Sequence, residues 1–249
     1  MVKFVKRLKR IALGFVLLMA LATGGFVVWA QASRYPALPA AAQVATTATH
    51  SPQGWLTFSP IKPNGTGFIF YPGALVDGEA YAPMAKALAE QGILVVIVDM
   101  PLDLAILNPN RATEVLAAYP HVQRWAIGGH SLGGSMAGQF LQSHPQSTGK
   151  IRGLVMWASR LTFGIDVSSL DIQAISIYGT LDGLAPNASE EIRRVGMRAN
   201  TTVVAIQGGN HAMFGSYGPQ KGDNSATIPS ANSQQQIVSA TAAFLLSLK

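Results

Sequence analysis

At 249 residues the chain is long enough for one α/β domain with a sizeable core and too short for two of comfortable size. Its formal charge of +6 belongs mostly to one place, because five of the 18 basic residues (Lys3, Lys6, Arg7, Lys9 and Arg10) fall in the first ten positions and the rest nearly balance the 12 acidic ones. No later cluster interleaves Lys or Arg with aromatics, which argues against a nucleic-acid partner, and the absence of cysteine excludes disulfides and thiolate metal sites.

The basic cluster is followed by an uncharged run from Ile11 to Ser33 that is apolar through Trp29. Such a segment enters membranes, and residues 1–32 are read either as an uncleaved anchor, the preferred reading, or as a signal peptide cleaved after Ala32. The tripeptide Ala30-Gln31-Ala32 suits a signal peptidase, but the apolar run exceeds the usual core of a signal peptide. Both readings keep the basic flank cytoplasmic and deliver the remainder to the extracytoplasmic side: membrane-anchored in the first case, secreted or periplasmic in the second. Residues 33–53, rich in Ala, Pro and Thr, read as a tether, and residues 54–249 as the folded domain.

Within that domain short apolar runs alternate with amphipathic stretches. Strands are predicted at Gly67–Tyr71, Ile93–Asp99, Arg124–Gly128, Gly153–Ala158, Ala174–Tyr178 and Val203–Ile206. Helices are predicted at Ala80–Gln91, Arg111–Tyr119, Gly134–Ser143, Ser189–Arg198 and Gln234–Leu248. Alternating βα units with continuous apolar strands imply a doubly wound, mostly parallel sheet covered by helices on both faces. Catalytic groups in such sheets gather at the carboxyl ends of the strands.

One G-x-S-x-G occurs, Gly129-His130-Ser131-Leu132-Gly133, and a predicted strand runs into it while a predicted helix leaves it. That strand–turn–helix context makes Ser131 the candidate nucleophile on a strained elbow, where side chains at positions 129 and 133 would collide with neighbouring backbone. The Leu132 N–H, with the N-terminal dipole of the following helix pointing at the same place, is the first candidate oxyanion donor. A serine hydroxyl is a weak nucleophile and needs a base held by a carboxylate. Of five histidines, His211 alone follows a late apolar strand in a loop, and it is the candidate base. Asp182 lies just after the strand Ala174–Tyr178 and gives the chain order Ser, Asp, His with spacings of 51 and 29 residues. Asp166 and Asp171 precede that strand and read as loop or capping residues. The second oxyanion donor falls in Tyr71-Pro72-Gly73-Ala74-Leu75-Val76, with the choice between the N–H groups of Gly73 and Ala74 left open.

Together, Phe70–Asp77, Val98–Leu102, Gly128–Gly134, Ser176–Gly179 with Asp182, and Gly208–His211 resemble the α/β-hydrolases, and among them the compact dienelactone-hydrolase-like branch. The resemblance runs from about Gly54 to the end of the sequence. It implies a sheet of eight or slightly fewer strands, no metal, no organic cofactor, and a Ser–Asp–His triad on the positions above. Dienelactone hydrolases proper look like cysteine-nucleophile enzymes, and this chain has no cysteine, so their lactone substrate does not carry over. The expected partner is a small acyl substrate reached past a minimal cap, since only Arg160–Asp171 separates two strands where larger lipases of this fold insert a lid. The glycine-rich segment Met213–Asp223 is either a pocket wall or a surface loop. The expected activity is that of an esterase-like serine hydrolase, and the alternative is a binding or scaffold protein on the same fold whose catalysis has lapsed.

Overall fold

Short apolar runs that are buried on both sides cannot stand alone, and in the computed structural model, which describes residues 2–185 and 189–249, they assemble into one sheet. Among the described residues its strands are β1 (Thr49–His50), β2 (Leu56–Phe58), β3 (Thr66–Tyr71), β4 (Leu94–Ile97), β5 (Arg124–His130), β6 (Ile151–Trp157), β7 (Gln173–Gly179) and β8 (Thr202–Ile206). Their spatial order is β1-β2-β4-β3-β5-β6-β7-β8. The β1–β2 and β2–β4 pairs are antiparallel and all the other neighbours are parallel. The helices are α1 (Val2–Ala32), α2 (Pro39–Ala45), α3 (Ala82–Ala89), α4 (Ala112–Ala118), α5 (Leu132–Ser143), α6 (Glu190–Arg193) and α7 (Ser230–Ser247).

The two-residue period of each strand divides its side chains between two cores. Phe68, Phe70, Val95, Ile97, Val155, Trp157 and Ile177 pack with Met84 and Leu88 of α3 and with Ile237 and Leu245 of α7. Ile69, Val96, Val98, Ile127, Leu154 and Met156 pack on the other side with Val115 of α4 and with Met136, Phe140 and Leu141 of α5. Every predicted strand is present, with ends that differ by at most two residues.

The chain divides into two units, Met1–Arg34 and Tyr35–Lys249. In the first, α1 contains a 22-residue stretch, Ile11–Ala32, with mean hydropathy 2.4 and long enough to cross a membrane by length and composition. The segment expected to be a tether is folded into the second unit from Tyr35 onward. Tyr35 pairs with Val76, its N–H donating to Leu75 O at 2.7 Å, and the Leu38 N–H donates to Ser216 O at 2.8 Å. Ala41 and Ala45 of α2 are buried. Low charge and high Ala content read as a linker because small side chains give a weak periodicity signal, although they let a helix lie close to its neighbours. Two further predictions shift. The helix expected from Ala80 starts as a 3-10 turn at Gly78–Tyr81 and becomes α only at Ala82. The one expected over Ser189–Arg198 is α-helical only at Glu190–Arg193, and at Gly196 the chain takes φ +74° against the Ile165 carbonyl.

Candidate active site

The carboxyl edge of the parallel strands collects the candidate residues. Ser131 follows β5 directly, Gly73 and Ala74 follow the adjacent β3, Asp182 lies three residues beyond β7, and His211 five residues beyond β8. Ser131 occupies φ 52°, ψ −122°, a conformation that costs of order 1–3 kcal/mol for a residue with a side chain. The surroundings fix it there: its N–H donates to Trp157 O at 2.9 Å, and its carbonyl accepts from the Ser159 hydroxyl at 2.6 Å. The glycines of the motif are explained by crowding. A Cβ at Gly129 would run into the Tyr71 carbonyl, and one at Gly133 into the carbonyls of Tyr71 and Pro72. Helix α5 begins at Leu132, and no side chain caps its first N–H groups, which leaves its positive end free beside Ser131.

Asp182 and His211, separated by 29 residues in sequence, meet through a 2.9 Å bond between His211 Nδ1 and Asp182 Oδ2, with both side chains buried. Burial alone would raise the Asp182 carboxyl. The His211 hydrogen bond and charge outweigh that effect, together with N–H donation from Ala185 and Leu184 to Oδ1, so the group sits below its ordinary value and is ionised. With Nδ1 engaged by the carboxylate, His211 Nε2 remains, buried and without a hydrogen-bond partner among the described residues. The rival carboxylates lie elsewhere: Asp166 accepts from the Ser168 N–H in an exposed turn, and Asp171 pairs with Arg198 at 3.1 Å. The His211 ring packs at 4.6 Å between centroids on that of His130, the residue preceding Ser131.

Three contacts were not foreseen from the sequence. The Asp223 carboxylate accepts from the Gly183 N–H at 2.9 Å and from the Ala212 N–H at 2.8 Å, joining the residue after Asp182 to the residue after His211. Ser159 holds the elbow carbonyl, as given above. The Tyr81 hydroxyl accepts from the Gly73 N–H at 3.0 Å, which occupies one of the two candidate oxyanion donors, while the Ala74 N–H makes no bond among the described residues. None of these carried a local sequence signal, since each partner lies on a different element. The Met213–Asp223 segment lines a cleft of about 460 Å³ with Leu38 and Asn224, and Ser131, Asp182 and His211 are not among its walls. Between β6 and β7 no helix stands among the described residues; Leu161 and Thr162 pack directly on α5, with Thr162 Oγ1 2.7 Å from Ser135 Oγ. No group of three or more metal-ligating side chains occurs among the described residues.

A family model for the alpha/beta hydrolase family matches residues 67–236, a stretch that includes Gly73, Ser131, Asp182 and His211. The chain belongs to the alpha/beta hydrolase family. Structurally this hydrolase is similar to a thermophilic esterase of the planctomycete Thermogutta terrifontis, at 14% identity and TM-score 0.54 over 77% of this chain and 86% of that one. It is similar to a dienelactone hydrolase-like promiscuous phosphotriesterase from metagenomic libraries, at 16% identity and TM-score 0.54 over 81% and 95%. It is also similar to an alpha-beta serine hydrolase homologue from Coxiella burnetii, at 14% identity and TM-score 0.57 over 80% and 95%. At these identities the likeness is one of fold. The search of curated proteins finds no match.

Proposed function

We propose that this hydrolase cleaves a carboxylic ester of a small acyl substrate through an acyl-enzyme on Ser131. The observation that carries the reading is the buried His211–Asp182 bond, which leaves His211 Nε2 unpaired among the described residues on a ring that packs against His130, the residue before Ser131. In the first half-reaction Nε2 takes the Ser131 hydroxyl proton as Oγ bonds to the ester carbon, and the electron pair of the C=O bond moves onto oxygen. The N–H groups of Leu132 and Ala74 stabilise that oxyanion; Ala74 is preferred over Gly73 because the Gly73 N–H already serves Tyr81. Collapse expels the alkoxide, which takes the proton back from His211, and water repeats the sequence on the acyl-enzyme. Asp182 orients the ring and balances the imidazolium charge. The esterases among the structural neighbours support the ester as the bond class.

The test is labelling of the full chain by a fluorophosphonate, followed by turnover of short-chain p-nitrophenyl esters. Ser131 should be labelled, and Ser131→Ala and His211→Ala should each lose about 10³-fold or more in kcat with the fold intact. Asp182→Asn should lose somewhat less. An unlabelled Ser131 in folded protein, beside a labelled reference serine hydrolase, would leave the fold as a binding scaffold.

For its location we propose that α1 holds the domain at a membrane, with the basic N-terminal flank on the cytoplasmic side and the catalytic unit on the other. Its support is the apolar stretch Ile11–Ala32.

A further inference from the structure

Two buried titratable side chains beside the site have no part in the reaction above. Tyr81 and His130 are each 1% exposed, and Tyr81 Oη lies 2.9 Å from His130 Nδ1. Tyr81 Oη also accepts the Gly73 N–H at 3.0 Å, so its own proton is free to be donated onward. Burial above all, reinforced by the neighbouring His211, keeps the His130 ring neutral. A neutral imidazole with Nδ1 accepting carries its proton on Nε2. In that tautomer the bonds run in a chain from the Gly73 N–H to Tyr81 Oη and from the Tyr81 O–H to His130 Nδ1.

The two ends of this chain lie at the two halves of the chemistry. At one end is the turn after β3, where the Gly73 N–H is held and the next N–H, that of Ala74, is left open. At the other end the His130 ring packs at 4.6 Å on His211 and stacks nearly parallel, 3° at 5.9 Å, with Phe214 three residues beyond the base. The fit is close enough to dictate sequence, since a Cβ at Gly73 would come within 2.7 Å of His130 Nδ1 and 3.1 Å of Tyr81 Oη. No side chain larger than hydrogen could stand at position 73 with the pair in place.

We propose that Tyr81 and His130 are paired positioning residues that fix the Gly73–Ala74 turn so that the Ala74 N–H faces the developing oxyanion. The same pair braces the His211 ring without adding a second positive charge beside the imidazolium. This inference rests on the ester-hydrolase reading of the same site. It differs from a plain packing role in one respect: loss of the chain should weaken stabilisation of an oxygen anion in particular.

The discriminating measurement compares an aryl acetate with its thionoester, whose sulfur accepts N–H bonds poorly, on Tyr81→Phe, His130→Asn and His130→Leu in the full chain. Asn at 130 can offer its amide oxygen near the place of Nδ1, whereas Leu cannot. Tyr81→Phe and His130→Leu should lower kcat on the oxygen ester by about tenfold or more with little change in KM, and lower turnover of the thionoester much less. His130→Asn should keep most of the activity, and the Tyr81→Phe/His130→Leu double variant should be little worse than either single one, as expected of two links in one chain. Equal losses on the two substrates, unchanged kcat, or additive losses in the double variant would each overturn the proposal. If Tyr81→Phe does not fold, the contrast between His130→Asn and His130→Leu decides it. Wild-type protein that fails to take up fluorophosphonate at Ser131 would instead remove the ester-hydrolase reading, a separate result.

Discussion

At the scale of single residues, the buried His130 ring ties the site to pH. In an unfolded chain the ring regains an ordinary pKa of about 6.5, whereas burial, and after it the neighbouring His211, hold it well below that value in the fold. Acid therefore protonates the unfolded chain first. The stability that the neutral ring contributes is complete above about pH 6.5 and is lost as the pH falls from there toward the depressed folded value. Asp182 has the same sign at more acidic pH, since its depressed value contributes stability above the ordinary carboxylate pKa of about 3.9 and loses it below. Calorimetric melts between pH 7.5 and 3 should show two declines, of which His130→Asn removes the upper one. An upper decline that survives in His130→Asn would assign it to another group. Of the residues in the proposed site, Ser131, Asp182 and His211 stand out as candidates in the sequence because each follows an apolar run, and the structure joins Asp182 to His211. Tyr81 does not, because its role comes from a hydrogen bond to Gly73 and one to His130, 49 residues away.

At the scale of elements, the proposed catalytic groups sit on loops, and loops hold position only when something clamps them. The acid loop after β7 and the base loop after β8 share one clamp, the Asp223 carboxylate, which accepts N–H bonds from Gly183 and Ala212 as well as from its neighbour Asn224. Asp223→Ala would strand these donors at a cost of roughly 1–3 kcal/mol. It would also loosen the Asp182–His211 distance, so kcat per folded molecule should fall about tenfold while substrate affinity changes little. Stopped-flow kinetics beside a thermal melt checks this, and an Asp223→Ala enzyme that melts lower yet turns over normally would reduce the clamp to a structural one. The parallel strands themselves were legible, because burial on both faces leaves continuous apolar runs such as Phe68–Tyr71 and Val95–Val98. The two amino-terminal strands, of two and three residues, are too short to show a period, and α2 was hidden by its alanines. The proposed preference for Ala74 over Gly73 was closed to local reading for a similar reason: it rests on the Tyr81 hydroxyl, which holds the Gly73 N–H from the next element.

At the scale of the whole molecule, the proposed anchor bears on which side of a membrane the chemistry would face. The apolar stretch Ile11–Ala32 has 22 residues with mean hydropathy 2.4. As a helix it is about 33 Å long at 1.5 Å per residue, against a hydrocarbon core of about 30 Å. An exposed surface of that hydropathy leaves water readily, whereas dragging Lys3, Lys6, Arg7, Lys9 and Arg10 through the bilayer would cost several kcal/mol or more, so the orientation follows from the charge cluster. Cleavage is a separate matter, because Ala30-Gln31-Ala32 gives a peptidase the small residues it requires in a segment otherwise long enough to remain as an anchor. Cell fractionation with N-terminal sequencing of the native chain should find an intact amino terminus in the membrane fraction, with the esterase activity reachable only from the extracytoplasmic face. A mature start at Ser33 in a soluble exported fraction would replace the anchor with a signal peptide and leave the orientation intact. Intact chain free in the cytoplasm would sink both, and with them the placement of the ester substrate outside the cytoplasm.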